Sequence, residues 1–170
     1  IVVSGIAVHM IPHTMQRLSL RLETAAVLVT VVAITTILGT LIGGYIGDRR
    51  DKRMGIFLCM LGHATAVLIL AFATNLSQAL VFAVLHGLCW GVRSPLILAI
   101  RAEFFGRGNY ARILGLSQPM VTVGNMAGPI LAGAMADKLG DYSLALIVLA
   151  CITVMGSGLI LAVRKGDEVT

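Results

Sequence analysis

Charged residues are scarce in this sequence, and aromatic residues are scarcer still. Asp, Glu, Lys and Arg make up 12% of the 170 residues, and Phe, Trp and Tyr make up 5%. A soluble domain usually carries about 25% charged residues, whereas 58% of the residues here are hydrophobic. These proportions exclude an ordinary water-soluble domain and predict that lipid surrounds most of the chain.

Signatures of catalysis and of metal binding are also absent. The sequence contains no GxSxG, HExxH or Walker phosphate-binding motif, and no pair of carboxylates within an apolar run. Because such motifs supply the reactive groups of an enzyme, nothing here indicates catalysis or a cofactor. Cys59, Cys89 and Cys151 each lie in an apolar stretch, which argues against a disulfide framework or a Cys-rich metal site.

Positive charge is present, but it is not arranged for nucleic acid. The net charge is +5, yet the Lys and Arg residues fall in short segments between apolar runs, and no basic stripe alternates with aromatics. We therefore expect no nucleic-acid partner. The chain starts at Ile1 without a basic leader or a small-residue cleavage site, so we expect it to begin inside a helix and not with a signal peptide.

Long apolar runs dominate what is present. A helix needs about 20 residues to cross a bilayer core of about 30 Å, and the sequence offers several runs of this length between short charged breaks. The predicted helices cover residues 1–15, 24–46, 54–74, 77–100, 112–136 and 142–163. The expected fold is all-α: a polytopic membrane protein built as a six-helix bundle with a truncated first helix.

The distribution of basic residues predicts the orientation of these helices. Segments 47–53 and 101–112, both read as loops, and the C-terminal tail carry most of the Lys and Arg residues and fall on one side of the membrane. The positive-inside rule places that side in the cytoplasm. We therefore expect a cytoplasmic C-terminus and a plasma (cell inner) membrane location.

The segment 44–53, GYIGDRRDKR, joins two predicted membrane helices on the cytoplasmic side. Its first glycine would allow close helix packing, and its first acidic residue would cap or pair near a helix end. Its basic residues would bind helix C-termini or lipid headgroups. These residues are Gly44, Asp48, Arg49, Lys52 and Arg53. The segment resembles the loop signature of the major facilitator superfamily, G-x-x-x-D-R-x-G-R-R, although Asp51 replaces a Gly and Lys52 replaces an Arg. The resemblance implies a loop that latches one of two gated states.

Within that superfamily, short motifs resemble those of the monocarboxylate and oxalate/formate carrier group. They are VHMIP (8–12), EFFGR (103–107), NYAR (109–112) with Gly115, and Gly128-Pro129 followed by Gly133, Asp137, Gly140 and Tyr142. The resemblance implies that the chain is the C-terminal half of a twelve-helix carrier, and that its partner is a missing N-terminal six-helix half. Solute would bind between the halves near the midplane and be exposed to each side in turn.

Arg93 is the foremost candidate for a functional residue, because an ionisable side chain inside a membrane helix is costly and usually serves transport or gating. His86 and Trp90 precede it by seven and three residues, so the three side chains share one helix face. No Asp or Glu falls deep in any full-length predicted helix. The counter-charge would be an anionic substrate, an acid from the missing half, or carbonyls freed by Pro95. The structural alternative is a side chain that snorkels toward the cytoplasm.

Further polar residues repeat this spacing on two other helices. They are Gln118, Thr122 and Asn125 on one helix, and His9, His13 and Gln16 on the opening helix. These stripes either converge with Arg93 on one cavity, as substrate-binding or gating groups, or form ordinary hydrogen bonds between helices. His9 and His13 also have the spacing of metal ligands, but no third ligand is evident and no metal site is expected. His63, on a helix expected at the periphery, is predicted to be a packed or hydrogen-bonded residue and not a proton carrier.

Small residues at four-residue spacing predict closely packed helices. They are Gly39, Gly43 and Gly47 on one helix, Gly87 and Gly91 on another, and Gly124 and Gly128 on a third. Pro129 follows the last pair, which favours a kink beside a packing groove. The same stretch resembles a Gly-Pro motif of the superfamily, so a direct role in antiport is the alternative.

Together these features predict a secondary active transporter that moves a small organic anion, such as a monocarboxylate, with a coupling proton or ion as a further partner. Two alternatives stay open, because the first and fourth full-length helices lack the deep basic residue that oxalate/formate carriers use for a carboxylate. One is a drug or metabolite efflux carrier of the same superfamily. The other is a membrane receptor or scaffold that transports nothing.

Overall fold

The computed structural model describes residues 2–162, apart from the side chains of residues 107 and 139. The regular structure of this part of the chain is entirely helical. The helices are α1 (Val2–Leu18), α2 (Leu22–Gly47), α3 (Lys52–Ala71), α4 (Leu76–Gly106), α5 (107–139) and α6 (Ser143–Ala162). The predicted all-α bundle of six helices is confirmed.

Four of the described helices, α2, α3, α4 and α6, are long and apolar enough to cross a membrane. The described part of α1 has 17 residues, which is just short of a full span. α5 is longer, but Gln118, Asn125 and two prolines interrupt its apolar sequence. Helices of this length and composition are those of an integral membrane protein.

The segment 101–112 is not the loop that its basic residues suggested. α4 continues to Gly106, and α5 follows it directly. Gly106 has non-helical angles, φ 69° and ψ 164°, which a residue with a side chain would adopt only with strain. The flanking residues, such as Ala102 and Glu103, have high helix propensity, and no proline interrupts them. The positive charge at this membrane end is therefore carried by two helices that meet at a kink.

The connections between helices gather at two ends of the bundle. At one end, Arg17 of α1 donates from Nε to the Ala73 carbonyl (3.2 Å) and pairs with Asp141 (3.6 Å), between α5 and α6. At the other end, Lys52 at the start of α3 pairs with Glu103 near the end of α4 (3.0 Å). This grouping agrees with the alternation of sides expected from the loop sequences.

The contact between α2 and α4 is built on glycine. A methyl group added at Gly39 would lie 2.5 Å from the carbonyl oxygen of Leu88, and one added at Gly91 would collide with the backbone of α2. At Gly87 the Thr35 side chain occupies the space that a Cβ atom would need. Without these glycines the two helix backbones could not approach so closely, as the small-residue spacing predicted.

Candidate functional site

The inner face of α4 carries the polar residues expected there. His86, Trp90 and Arg93 follow one another along this face. The guanidinium carbon of Arg93 lies 4.7 Å from the centre of the Trp90 ring, which is the geometry of a cation–π contact. The guanidinium forms no ion pair with any described residue. Arg93 is therefore supported by an aromatic surface, and the charge of its guanidinium is not neutralised by a carboxylate of this part of the chain.

This face borders a partly open cavity of about 480 Å³ between α1, α3, α4, α5 and α6, and its lining residues Met120, Val121 and Asn125 of α5 are exposed. Its polar side chains come from His63 of α3, Trp90 and Arg93 of α4, Asn125 of α5 and Thr153 of α6. The rest of the wall is apolar and is formed by Val2, Val3, Met60, Met120, Val121, Gly124, Ile152 and Gly156. Among the described lining residues, Arg93 alone brings a permanent charge, and it does so against an apolar background.

His63 is the site residue that sequence reasoning missed. Its side chain stacks on His86, with ring centres 4.1 Å apart and ring planes inclined by 30°. Nε2 of His63 and Nδ1 of His86 are buried without a hydrogen-bond partner. A buried polar atom in that condition costs about 1–3 kcal/mol. His63 is packed, as one form of the prediction had it, but no described group forms a hydrogen bond with its Nε2 atom.

A second cavity of about 410 Å³ lies between α1, α2 and α4. His86 and Trp90 border it, and the other residues that line it are apolar except Thr36. Trp90 therefore borders both cavities. The stacked imidazoles lie in the wall between them, with His63 on the first cavity and His86 on the second.

The polar stripe of α5 reaches the first cavity only in part. Asn125, itself exposed, lines it, as does the neighbouring Gly124, whereas Gln118 and Thr122 are exposed on the surface of the described bundle without lining it. Gly128 is buried, and its backbone would meet a methyl group added at Gly5 of α1. The predicted packing role fits Gly128, whereas Gly124 borders the cavity and its packing role stays a prediction. A binding or gating role for Gln118 stays a prediction.

The histidine stripe of α1 is not brought to this cavity. His9 donates from Nε2 to the Pro129 carbonyl (2.9 Å), and His13 donates from Nε2 to the Leu70 carbonyl (3.0 Å). Both imidazoles also contact the ring of Tyr142, with centres 5.1 and 6.3 Å away. The described residues contain no cluster of three possible metal ligands. In this chain the two histidines tie α1 to the backbone of α3 and α5.

Ion pairs organise the segment 44–53 at the other end of the bundle. Lys52 pairs with Glu103 of α4 (3.0 Å), and Arg53 pairs with Asp51 (3.7 Å). The Asp51 side chain also accepts a hydrogen bond from the Arg53 amide (2.8 Å) and so caps the start of α3. The Asp that departs from the superfamily signature therefore has a local structural role.

The glycine of this segment is placed differently from our expectation. An added methyl group at Gly44 would have no described atom within 4 Å, whereas one at Gly43 would collide with Val92 of α4. Successive residues of a helix point about 100° apart, so only Gly43 faces α4. Asp48 lies at the C-terminal cap position of α2, and Arg49 contacts the ring and the hydroxyl of Tyr45.

Comparisons with known proteins agree with this architecture. The sequence matches the family model described as Major Facilitator Superfamily over residues 1–169. It is 29% identical over 156 residues to monocarboxylate transporter 13 of Rattus norvegicus, covering 91% of this chain and 36% of the relative. It is 31% identical over 123 residues to the staphyloferrin B transporter of Staphylococcus aureus, covering 71% and 28%.

A sugar phosphate exchanger is also similar to the chain. Sugar phosphate exchanger 3 of Xenopus laevis is 29% identical over 125 residues, which cover 69% of this chain and 24% of the relative. In these comparisons the chain spans about a quarter to a third of the length of the curated relatives that it matches.

Proposed function

This chain belongs to the Major Facilitator Superfamily, and we propose that it forms half of a secondary carrier for a small organic anion, with a monocarboxylate as the favoured substrate. The relatives support transport in general, because their names are those of transporters and of an exchanger. Several of them are monocarboxylate transporters. Because the chain spans a minor part of each relative, transport by the complete protein is part of what we propose.

The observation that carries the anion assignment is the charge of Arg93 in an apolar cavity. The guanidinium has no described carboxylate partner, and it lies beside Trp90 on the cavity wall. A substrate carboxylate would accept two parallel charge-assisted hydrogen bonds from the guanidinium. A bound anion would then offset the cost of removing Arg93 from water beyond what the Trp90 contact provides, which makes the anion a natural counter-ion of this site.

The rest of the wall suits a short substrate with an apolar body. Met60, Val121 and Ile152 contribute hydrocarbon surface, and Asn125 contributes an amide near the same space. Small-molecule sites usually enclose about 300–1,000 Å³, and this cavity of about 480 Å³ lies within that range. A carboxylate with a small alkyl or aromatic group fits this chemistry better than a multiply charged solute, because the described lining of the cavity contains one guanidinium to balance its charge.

The second bundle is proposed to cover the exposed face of α5. Gln118 and Thr122 are exposed there, and polar side chains directed at lipid hydrocarbon are costly. A polar or water-filled interface with another bundle would avoid that cost. Rocking of the two bundles would then open the Arg93 cavity to one side at a time. The segment 44–53 would stabilise one of the two states at the cytoplasmic surface, and the C-terminus would lie on that same side of the plasma (cell inner) membrane.

The first test is uptake of radiolabelled acetate, lactate, pyruvate and benzoate into proteoliposomes that contain the full-length protein. Wild type is expected to show saturable uptake, and Arg93→Gln is expected to lose it. Arg21→Gln is the matched control, because it removes the same charge from a side chain that is 82% exposed. Equal insertion of the variants is checked by quantifying reconstituted protein. Unchanged uptake by Arg93→Gln would show that Arg93 does not bind the transported anion.

A drug or metabolite efflux carrier is the second candidate within the superfamily, and it stays open because the relatives also include transporters that are not named for monocarboxylates, such as the staphyloferrin B transporter. In that function Arg93 would gate the cavity or support its wall. The same vesicles separate the two candidates, because an efflux carrier would show no uptake of the four carboxylates by wild type. A receptor or scaffold would move no solute in either direction.

A further inference from the structure

We propose that Gly156 of α6 sets the size of the substrate, and that the Arg93 cavity favours a monocarboxylate with an aromatic or branched apolar body over a two-carbon one. The inference rests on the proposed function and adds the size class of the anion and the residue that selects it. It begins from a glycine that packing between helices does not explain.

Glycine in a membrane helix usually allows two helix backbones to approach closely. The glycines between α2 and α4 do this, because a methyl group added at Gly39 or Gly91 would meet the backbone of the facing helix. A methyl group added at Gly156 would meet no described backbone atom of another helix within 4 Å. Its one neighbour is Cε of Met60 on α3, at 3.6 Å, which is ordinary van der Waals contact. Close helix packing therefore does not require a glycine at this position.

The space beside Gly156 belongs to the Arg93 cavity. Gly156 and Met60 both line this cavity from opposite helices, and Gly156 is half-buried. A larger side chain at position 156 would occupy part of the cavity itself or displace the flexible end of Met60. Either change narrows the space between α3 and α6, where the apolar body of a substrate would lie.

The described part of α6 gives this cavity shape and no charge. Besides Gly156, its lining residues are Ile152 and Thr153. The Thr153 hydroxyl donates to the Leu149 carbonyl one turn earlier (2.8 Å), so its hydrogen is used within the helix. Arg93, by contrast, lies on the wall formed by α4. A substrate with its carboxylate at Arg93 would extend its apolar body across the cavity, toward the hydrocarbon surface of α6.

A preference for larger carboxylates follows from this arrangement. Burial of apolar surface strengthens binding in proportion to the area removed from water, so benzoate is expected to gain more than acetate from a cavity of about 480 Å³. One methylene group in an apolar pocket changes selectivity by about 10- to 200-fold. Wild type is therefore expected to have a KM for benzoate at least about tenfold below its KM for acetate. A side chain at position 156 would remove this preference.

The test measures saturable uptake of radiolabelled benzoate and acetate into proteoliposomes that contain the full-length protein. Both KM values are determined for wild type, Gly156→Ala and Gly156→Val. The ratio of the benzoate KM to the acetate KM is expected to rise with the size of the side chain, by about tenfold or more in Gly156→Val. The KM for acetate is expected to stay close to that of wild type, because acetate leaves the space beside Gly156 empty. Uptake of acetate also shows that each variant is folded.

Gly158→Val is the matched control, because it makes the same substitution on the same helix. The two positions lie about 200° apart around the helix axis, and a methyl group added at Gly158 would have no described atom within 4 Å. Gly158 is outside the described lining of the cavity, so its substitution is expected to leave both KM values unchanged. Met60→Ala combined with Gly156→Val is expected to restore uptake of benzoate, since it returns space opposite position 156.

An unchanged KM ratio in Gly156→Val, or an equal rise in Gly158→Val, would overturn the proposal and leave the anion site at Arg93 standing. A wild-type KM for benzoate that is no lower than that for acetate would overturn it as well. If Gly156→Val does not insert, Gly156→Ala decides, because its methyl group meets Met60 at ordinary contact distance. Absence of saturable uptake of both carboxylates by wild type would contradict the proposed function, and the role of Gly156 with it.

Discussion

Trp90 is the side chain that supports the Arg93 guanidinium at the proposed anion site. Its ring lies 4.7 Å from the guanidinium carbon of Arg93, and a cation–π contact between partly buried groups contributes about 1–2 kcal/mol. Trp90→Leu is expected to raise KM for a transported carboxylate by about 5- to 30-fold, since about 1.4 kcal/mol corresponds to a factor of ten. Trp90→Phe keeps an aromatic surface and is the matched control, with a smaller expected rise in KM.

Kinetics of uptake measured over a range of substrate concentrations separate this effect from a general defect. A lowered maximal rate with an unchanged KM in Trp90→Leu would contradict a role in positioning Arg93 for binding. It would point instead to a role of Trp90 in the movement between states, consistent with its position between the two cavities.

Asp141 introduces a dependence of stability on pH at the end of the bundle opposite the segment 44–53. Burial raises the pKa of this carboxyl, but hydrogen bonds from the amide and hydroxyl of Ser143, with the positive charge of Arg17, outweigh that effect and hold the pKa below its usual value of 3.8. A lowered pKa means that the folded state favours the carboxylate. The resulting stabilisation is present above pH 3.8 and is lost as the pH falls through the lowered pKa.

Asp141→Asn is therefore expected to lower thermal stability of the purified protein at pH 7, and to differ less from wild type as the pH falls below about 4. The side chain of Asp141 is 45% exposed, so solvent screening limits the effect to about 1 kcal/mol or less. Asp137→Asn, which alters an exposed carboxylate at the same end of the bundle, is the control. A stability difference that stays constant as the pH falls from 7 to below 3 would contradict this account.

The sequence predicted Arg93 and Trp90 as site residues, but it did not predict His63. A spacing of three or four residues brings side chains of one helix together, so the face of α4 could be read directly. His63 meets His86 only because α3 packs on α4 in one register. Two glycines on α3 mark that register, since a Cβ atom at Gly62 would meet Cys89 and one at Gly55 would meet Leu96. Their seven-residue spacing could have identified the side of α3 that faces α4. His63 follows Gly62 and would then have been placed near α4.

Among the elements, the crossing of α2 and α4 is the contact most sensitive to added volume. Gly91 lies against the backbone of α2, and an added side chain would have to displace that backbone, at a cost of about 1–3 kcal/mol or more. Gly91→Val is expected to lower the melting temperature in detergent by several degrees. Gly115→Ala is the matched control, because that helical glycine has open space around it.

The control substitution Gly115→Ala also has an expected outcome. Alanine has a higher helix propensity than glycine by about 1 kcal/mol, so Gly115→Ala is expected to leave the melting temperature unchanged or slightly raised. Equal destabilisation by both substitutions would show that the close approach at Gly91 is not what limits stability. It would also contradict the role of these glycines in the close approach of α2 and α4.

Helices were predictable from the sequence because apolar length is a long-range signal, but their ends were not. The reading of 101–112 as a loop rested on charge, and charge is equally compatible with a helix end in the interfacial region. Only backbone geometry revealed that Gly106 alone breaks the helix there. Lys52 and Glu103 then pair across the same end (3.0 Å), a contact between elements that no local pattern encodes.

For the molecule as a whole, the described chain provides one side of the proposed transport pathway. The Arg93 cavity is bounded by five of its helices, whereas the polar side chains of Gln118 and Thr122 on α5 are exposed. This exposure indicates which surface would meet a second bundle. The linear sequence alone did not distinguish that surface from one that faces lipid. An interface there would cover polar groups that hydrocarbon leaves unsatisfied.

Residues 1–170 expressed alone are therefore expected to insert into membranes without transporting pyruvate. The physical reason is that α5 would have no partner for its exposed polar face, and no second bundle would close the cavity on either side. Co-expression with the upstream half, as a separate chain, is expected to restore exchange measured in proteoliposomes. The full-length protein serves as the positive control, and the co-expressed pair carrying Arg93→Gln serves as the negative one. Saturable pyruvate exchange by residues 1–170 alone would contradict the half-carrier proposal and would indicate that two copies of this chain assemble into the complete pathway.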